Sequence, residues 1–450
     1  MQLSKSENRI FYRNMISLTV PLAAQNLINV AVQSADVLML SSVGEIALSA
    51  ASLAGQIQFV LTLFFFGLTS GACVLTAQYW GKGDTRTIEK ILAMTLRFSM
   101  VSAFAFALAA VCVPATLMSV FSSDPDIITE GVRYLRIVAP SYVFTGFSTV
   151  YLYLLRSVEK VMVSTVVYSI SLVANVGFNS VFIFGLLGFP AMGIGGAALG
   201  TTLARGIEII IVGVYAAKSK VLRLHWKDFI TRYKLLSADF VHYSLPATIN
   251  ELMWGLGISV TAMIVGHIGA SAVAAMSVGT VMRQLATVVC FGIANATAII
   301  LGKTLGAGET EKALVYSRRL IKLALGFGVM GASLIFVLKP VVFLITNLTP
   351  LADSYLGFLM NILCLQTIAM SFNGVMIVGA FRSGGDTRFA LFADIGTLWG
   401  VSIVVGVVAA FVLKLPVEWV YVIVLSDEIL KLPLCVWRYR SKIWLNNVTR

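Results

Sequence analysis

Residues 81–85 read GKGDT and residues 306–310 read GAGET, so the same loop returns after half of the chain's 450 residues. Other glycines, prolines and loop residues repeat at the same spacing or one residue more, and composition alone does not produce so many matches. The chain is therefore predicted to contain one unit twice. The further matching pairs are Pro21 with Pro246, Gly44 with Gly269, Phe66-Gly67 with Phe291-Gly292, and Arg156-Ser157 with Arg382-Ser383.

The composition predicts a protein that crosses the membrane many times. Hydrophobic residues make up 58% of the chain and charged residues 12%, against about 25% charged in soluble domains. Stretches such as 99–121 and 396–415 are long enough to cross a bilayer as helices. Twelve candidate spans are roughly 15–40, 47–80, 88–120, 128–155, 161–187, 193–217, 238–265, 272–305, 313–345, 353–381, 389–413 and 417–437.

Two six-helix lobes follow from the repeat. We predict an all-α integral membrane protein with an N-terminal lobe over 1–217, a linker over 218–237 and a C-terminal lobe over 238–450. Six is an even number, so both lobes enter the membrane from the same side and form parallel repeats. Transporters with such repeats bind substrate between the halves and alternate access by rocking.

The basic residues predict the orientation. Lysine and arginine are concentrated in the N-terminal tail, the linker, the C-terminal tail and every second loop, while loops such as 41–46 and 122–127 carry none. By the positive-inside rule both termini are cytoplasmic. The net charge of +12 is thus a topology signal, and its spread over many short loops argues against a nucleic-acid partner.

The repeated loop itself is best explained as a capped helical hairpin. Gly81 and Gly83 are suited to a helix end where φ is positive, and Asp84 or Thr85 to the start of the next helix. A phosphate-binding role has little support. The sequence contains neither an ATPase signature nor an intramembrane catalytic motif, so we expect no enzyme and a transport step driven by an ion gradient.

Ionisable residues inside the spans are candidates for the coupling site. A charge at the bilayer centre costs about 2.5–3.5 kcal/mol even on insertion scales, so such a residue is expected to have a function. Asp36 lies late in the first span and Glu251 early in the seventh. Asp394 and Glu208 lie nearer span ends, where pairing or snorkelling is the usual explanation. Asp36 and Glu251 are therefore the predicted cation-coupling carboxylates.

Polar residues of the fifth and sixth spans supply partners for Asp36. Asn175 and Asn179 are four residues apart and share a helix face, and Thr201 follows a glycine-rich stretch. Carboxylate, amide and hydroxyl oxygens suit a hard cation, which makes this set a candidate Na⁺ site. Interhelical packing is the alternative role for the two asparagines and Thr201.

Several stretches resemble the multidrug and toxic compound extrusion (MATE) family, in its bacterial NorM/DinF-like branch. They are PLAAQNLINVAVQSADVLML (21–40), VGEIALSAASLAGQI (43–57), GLTSGACVLTAQYWGKGD (67–84), ALGTTLAR (198–205) and GAFRSGGDTR (379–388). The resemblance implies a monomeric efflux antiporter of the cytoplasmic membrane that exchanges organic, often cationic or amphiphilic, compounds for Na⁺ or H⁺, with no other cofactor. It also implies that Asp36, Asn175, Asn179 and Thr201 form an N-lobe cation site.

The resemblance is incomplete in the C-terminal lobe. Glu251 matches the acidic residue of the seventh helix, but Ser371 stands where the NorM-like branch usually has an aspartate. We therefore favour the N-lobe site. An expected substrate cavity between the lobes is lined by apolar, aromatic and uncharged polar residues, with candidates Gln33, Gln56, Trp254, Met282, Gln284 and Asn373.

Two other functions stay open at this point. A flippase for lipid-linked oligosaccharides, from the wider superfamily, would often carry several basic residues in its central cavity, and the candidates for such residues here are Arg205 and Arg283. A membrane scaffold without transport activity is a more distant alternative, since it would give Asp36 and Glu251 no purpose.

Overall fold

The computed structural model describes residues 4–219, 221–346 and 348–449, so Lys220 and Arg450 of the predicted basic segments lie outside it. Apart from one short 3₁₀ turn at Leu186–Gly188, each regular element of these residues is an α-helix, two of them with π-helical turns. The helices are α1 Lys5–Ser41, α2 Glu45–Lys82, α3 Thr85–Cys112, α4 Pro114–Ser119, α5 Pro125–Ser157, α6 Val161–Phe184, α7 Ile194–Lys218, α8 Trp226–Ile230, α9 Lys234–Ile268, α10 Ala270–Gly306, α11 Thr310–Ile345, α12 Pro350–Phe381, α13 Thr387–Val412, α14 Val417–Val424 and α15 Asp427–Ser441.

The predicted all-α membrane fold is confirmed. Eleven helices of the described residues are long and apolar enough to cross a bilayer. The twelfth predicted span, 417–437, is divided between α14 and α15, which are separated by Leu425 and Ser426. The apolar run ends there because α15 opens with two acidic residues, Asp427 and Glu428.

The backbone shows the internal repeat. Gly83 and Gly308, at matching positions of the two copies, have φ values of 83° and 78°. Glu159 and Gly385, which match at a spacing one residue longer, have φ values of 64° and 80°. The left-handed conformation is thus kept even where the first copy has a glutamate, which this region disfavours. The duplicated unit predicted from the residues is therefore visible in the geometry of its loops.

The first of the repeated loops has the predicted cap. Asp84 stands at the N-cap of α3, where its Oδ1 accepts from the Thr87 backbone N–H at 2.9 Å and its Oδ2 from the Thr87 hydroxyl at 2.6 Å. Glu309, at the matching place before α11, makes no side-chain cap hydrogen bond. The loop explanation is confirmed, with its cap present in the first copy.

The described chain forms two compact units that interleave along the sequence. The first consists of the residues up to Ala23, Ala77–Gly83 and the residues from Leu245 onward, and the second of Ala24–Thr76 and Asp84–Ser244. Each has an apolar core, which includes Phe65 and Leu135 in the second unit and Ile335 and Tyr421 in the first. The lobe boundaries predicted from the repeat stay a prediction.

Inside the first unit the ends of α2 and α10 cross through small residues. A Cβ placed on Gly81 would lie 1.9 Å from the carbonyl oxygen of Lys303, and one on Gly306 would lie 1.9 Å from that of Gln78. At both places the backbones of the two helices approach each other closely. Gly306 and Lys303 are the repeat counterparts of Gly81 and Gln78. Small residues at four-residue spacing allow such close crossings. Gly81 and Gly306 therefore have a packing role inside their helices, while Gly83 and Gly308 form the turns.

The outer faces of the helices are apolar. On α3 the side chains of Val101, Phe104 and Leu108 are 71%, 60% and 65% exposed, whereas Ser99 and Ala103 are fully buried. Exposed side chains at three- and four-residue spacing form one stripe along the helix. In a membrane protein such a stripe contacts lipid chains, so its exposure carries no penalty.

Candidate functional site

Asp36 contacts a buried amide of another helix. It lies near the end of α1, and its Oδ1 accepts a hydrogen bond of 2.6 Å from Asn179 Nδ2 on α6. The side chain of Asn179 is completely buried, while Asp36 is partly buried. A hydrogen bond to a carboxylate is stronger than one between neutral groups. The predicted pairing of the first span with the fifth is therefore present as a short hydrogen bond between Asn179 and Asp36.

Asn175 and Thr201 lie further from the carboxylate. Asn179 Nδ2 is 3.4 Å from Asn175 Oδ1, and Asn175 Nδ2 is 3.4 Å from Thr201 Oγ1. Both distances exceed those of good hydrogen bonds, so the second pair is loosely held. The structure nevertheless brings the four residues Asp36, Asn175, Asn179 and Thr201 together from α1, α6 and α7.

A second polar contact holds α1 against α6 nearer the start of both helices. The amide of Gln25 on α1 donates to the hydroxyls of Ser164 at 3.0 Å and Thr165 at 2.6 Å on α6. A buried polar residue in an apolar segment is stable only when it is hydrogen-bonded. Gln25 thus fixes the position of α1 along α6, and with it the position of Asp36 relative to Asn179.

One oxygen of this group has no partner. Asn179 Oδ1 is buried and forms no hydrogen bond among the described residues. It faces Gly200 of α7, where an added Cβ would lie 2.2 Å from that oxygen. An unpaired buried acceptor costs about 1–3 kcal/mol. A free amide oxygen next to a carboxylate and a hydroxyl has the chemistry that a small hard cation needs.

Replacing Gly200 by alanine tests this arrangement. The new methyl group must displace the Asn179 amide, so we expect Gly200→Ala to weaken cation-driven efflux about tenfold and to lower the free energy of unfolding by about 1–3 kcal/mol. Gly206→Ala on the same helix is the matched control, because a Cβ there meets no atom within 4 Å. Equal efflux by the two variants, normalised to protein amount, would separate Gly200 from the site.

A buried ion pair lies beside this group in the same unit. Arg205 Nη1 is 2.6 Å from Glu208 Oε2, and Ser148 donates to Glu208 Oε1 at 2.5 Å. Glu208 is completely buried and paired, and pairing is one of the two roles, with snorkelling, that its place near the end of the sixth span suggested. The positive charge of Arg205 also acts on Asp36. The i, i+3 spacing of Arg205 and Glu208 was the signal in the sequence for this pair.

Glu251 has a different partner from the one expected. Its Oε1 accepts from Arg382 Nη2 at 2.7 Å, and both side chains are buried. The hydroxyl of Ser371 donates to the carbonyl of Ile368 at 2.8 Å instead. Ser371, which stands where the resemblance places an aspartate, thus makes a local hydrogen bond, and Glu251 forms an ion pair with Arg382. Arg382 belongs to the stretch GAFRSGGDTR, whose chemical role sequence reasoning missed.

Three buried charges and one partly buried charge, Asp394, form what we call the Lys431 cluster: Asp394, Asp427, Glu428 and Lys431. Lys431 Nζ lies 3.0 Å from Asp394 Oδ1, 3.0 Å from Asp427 Oδ2 and 3.1 Å from Glu428 Oε1. Lys431 is 1% exposed. Sequence reasoning treated Asp394 as a paired group and did not consider the other three. The signal that could have found them was the run of three charges, at 427, 428 and 431, inside the twelfth predicted span.

The candidates for the substrate cavity have mixed environments. Gln33 and Gln56 in one unit and Gln284 in the other are exposed, and Trp254 is half-buried. Met282 belongs to an apolar core, and the Asn373 amide is buried against Glu428. The cavity therefore stays a prediction, best supported by the residues with exposed or half-exposed side chains.

Comparison of sequences shows relatives over almost the whole chain. The family model described as MatE matches residues 21–181 and 246–430. The chain is 21% identical over 447 residues to the "uncharacterized transporter YisQ" of Bacillus subtilis, covering 98% of this chain and 97% of that one. It is 22% identical to the "probable multidrug resistance protein NorM" of Thermotoga maritima, covering 98% and 95%.

Comparison of structures shows the same fold in solved transporters. The Vibrio cholerae MATE transporter VcmN, as a mutant, matches with a TM-score of 0.88 at 19% identity, covering 98% of this chain and all of that one. A MOP superfamily transporter from Pyrococcus furiosus matches with a TM-score of 0.86 at 17% identity, covering 96% of each chain. An outward-facing multidrug resistance MATE transporter matches with a TM-score of 0.86 at 16% identity and 99% coverage of each.

Proposed function

The chain belongs to the MatE family of membrane transporters, and from this premise we propose that it exports organic compounds across the cytoplasmic membrane in exchange for Na⁺ or H⁺. The observation that carries the proposal is the contact of 2.6 Å between Asp36 and Asn179 beside an unpartnered amide oxygen. The coupling ion is cargo here, and the protein's part is to bind and release it on opposite sides of the membrane.

The chemistry of the site supports coupling through Asp36. A carboxylate in an apolar segment is stabilised when a cation or a proton neutralises it. For Na⁺, the Asp36 carboxylate, the Asn179 Oδ1 and the Thr201 hydroxyl offer oxygens on three helices. For a proton, the Asp36 carboxyl alone is sufficient. Either cation couples to transport when its affinity differs between the two packings of these helices.

Proteoliposomes with separately imposed gradients test the coupling. We expect efflux of a fluorescent organic cation under a Na⁺ gradient or a pH gradient, and no efflux without either. Efflux under the Na⁺ gradient alone, with pH equal on both sides and an ionophore dissipating any proton gradient, identifies Na⁺. Efflux under the pH gradient in choline buffer identifies H⁺. Transport that persists when both gradients are absent contradicts an antiport mechanism.

Relatives with multidrug resistance names support the proposed substrate class of cationic or amphiphilic organic compounds. The charge balance of the spans also favours cationic or amphiphilic compounds over the alternative substrate, an anionic lipid-linked oligosaccharide. Arg205 pairs with Glu208 and Arg382 with Glu251, while Arg283 lies within hydrogen-bonding distance of Gln366, at 3.4 Å. Arg205 and Arg382 are occupied by carboxylate partners inside the protein, so they offer an anionic head group little attraction.

Cysteine labelling tests the proposed orientation, with both termini in the cytoplasm. In a background without native cysteines, Ser42→Cys and Ser123→Cys are expected to react with a membrane-impermeant maleimide added outside intact cells. Ala307→Cys is expected to react only after permeabilisation. All three side chains are exposed in the structure, so accessibility depends on the membrane. The reverse pattern would invert the topology.

A further inference from the structure

Two asparagine amides extend the Lys431 cluster. Asn250 Nδ2 donates to Asp394 Oδ2 at 2.8 Å, and Asn373 Nδ2 donates to Glu428 Oε2 at 2.8 Å. The two asparagines are 3% and 2% exposed, and in each the carbonyl oxygen Oδ1 has no hydrogen-bond partner among the described residues. Native proteins rarely leave such acceptors unpaired. Each amide can therefore accept one more hydrogen bond at the edge of the cluster.

The charges that face one another here do not balance. Three cations of the described residues, Lys431, Arg283 and Arg382, each interact with at least one of the four neighbouring carboxylates. With all groups ionised, one negative charge is in excess in an apolar surrounding. The Cys435 thiol also faces the cluster. The four carboxylates are those of Glu251, Asp394, Asp427 and Glu428.

We propose that the Lys431 cluster binds one proton, shared among the carboxyl groups of Asp394, Asp427 and Glu428. Uptake from water forms one O–H bond on a carboxylate, breaks no bond within the protein and turns that group into a neutral acid. The new O–H donates to the free carbonyl oxygen of Asn250 or Asn373 after that amide turns about its Cβ–Cγ bond, because Nδ2 faces the carboxylate in the structure. The excess negative charge and an unpaired acceptor are thereby removed in one step.

The contacts favour a proton over a metal ion. Lys431 and the two amides together contact five oxygens of the three carboxylates: both of Asp394, both of Glu428 and Oδ2 of Asp427. A metal ion binds several oxygens at once and would displace the ammonium and amide donors. A proton needs one oxygen and one acceptor, which the cluster already provides.

The site is separate from the proposed coupling site. Asp36 belongs to one compact unit, and all residues of the Lys431 cluster belong to the other. Proton binding here therefore does not require that Asp36 couple transport. A measurement of bound protons on the purified protein can fail or succeed independently of efflux, which keeps the two proposals distinguishable.

Infrared difference spectroscopy on the full-length protein in lipid nanodiscs tests the proposal. The background carries Asp36→Asn, and the buffer contains choline in place of Na⁺. The spectra cover pH values above about 6, where exposed carboxyl groups are ionised. We expect a C=O stretching band of a protonated carboxyl group that disappears as pH rises. Adding Glu428→Gln neutralises the excess charge and is expected to remove the band, with one proton fewer bound per protein.

Variants that change the charge in opposite senses make the test decisive. Asp427→Asn is expected to remove the band, as Glu428→Gln does. If Glu428→Gln does not fold, Asp427→Asn replaces it in the test. Glu428→Gln with Arg283→Gln restores one excess negative charge and is expected to restore the band. Glu45→Gln, at an exposed carboxyl, is expected to leave it unchanged. The assignment of the proton to the Lys431 cluster is overturned if neither Glu428→Gln nor Asp427→Asn alters the band. It is also overturned if Na⁺ suppresses the band at constant pH.

Discussion

Asp36→Asn is expected to reduce gradient-driven efflux in proteoliposomes to less than about one-tenth of the wild-type rate, while the protein still folds and binds drug. Asparagine keeps the size of the side chain, and its own carbonyl oxygen can accept the hydrogen bond from Asn179 that the carboxylate accepts at 2.6 Å. The variant loses only the negative charge and the titratable group. Neither Na⁺ nor a proton can then neutralise this position.

The size of the effect follows from how coupling works. A ligand shifts an equilibrium between two conformations only through its different affinities for them, and reversing a ratio of 1:99 takes about 5.5 kcal/mol. The negative charge is the largest source of cation affinity in the group formed with Asn175, Asn179 and Thr201. Its removal is therefore expected to uncouple the cation gradient from drug movement rather than to reduce the rate slightly.

Two variants control this experiment. Asp126→Asn, at an exposed position outside the group, is expected to transport normally. Glu251→Gln leaves the buried Arg382 without its carboxylate, and breaking such a pair costs about 3–5 kcal/mol, so its main effect is expected in thermal stability. Fluorescence polarisation measures drug binding for each variant. Wild-type efflux by Asp36→Asn together with inactive, well-folded Glu251→Gln would place coupling in the other unit.

Gly306→Ala is expected to be strongly destabilising, with a loss of about 3 kcal/mol or more in the free energy of unfolding. The added Cβ lies 1.9 Å from the carbonyl oxygen of Gln78. Backbone atoms of a helix cannot move away as a side chain can, so α2 and α10 must separate at their crossing. The Gln78 side chain makes the region less adaptable, because its amide donates to the carbonyls of Ser383 and Asn446 at 2.7 and 3.0 Å.

Thermal unfolding in detergent, followed by size-exclusion chromatography with fluorescence detection, measures this effect. Gly81→Ala is expected to behave in the same way, because its Cβ meets the carbonyl oxygen of Lys303 at 1.9 Å. Gly326→Ala on α11, where a Cβ meets no atom within 4 Å, is the control and is expected to be neutral or slightly stabilising, since alanine favours helix. Equal unfolding temperatures for Gly306→Ala and Gly326→Ala would show that the crossing adapts to a methyl group.

Features that depend on residues close together in the sequence, or on residues that recur at one spacing, could be predicted from the sequence. The apolar spans, the duplication at half the chain length and the cap of α3 by Asp84 each depend on such local or periodic patterns. The short contact of Asp36 with Asn179 was also predicted, because few polar residues lie in these spans. The partner of Glu251 was not, since Arg382 lies 131 residues away and was read only as part of a repeated loop.

Hydrophobicity and spacing act along the chain, so the membrane-spanning helices and the two copies of the unit could be predicted from the residues alone. Which charges meet depends on the folded molecule. It pairs Glu251 with Arg382, surrounds Lys431 with three carboxylates and divides the last span before Asp427. The physical reason is that a buried charge is stable only beside a partner, and the fold brings partners together from helices far apart in the sequence.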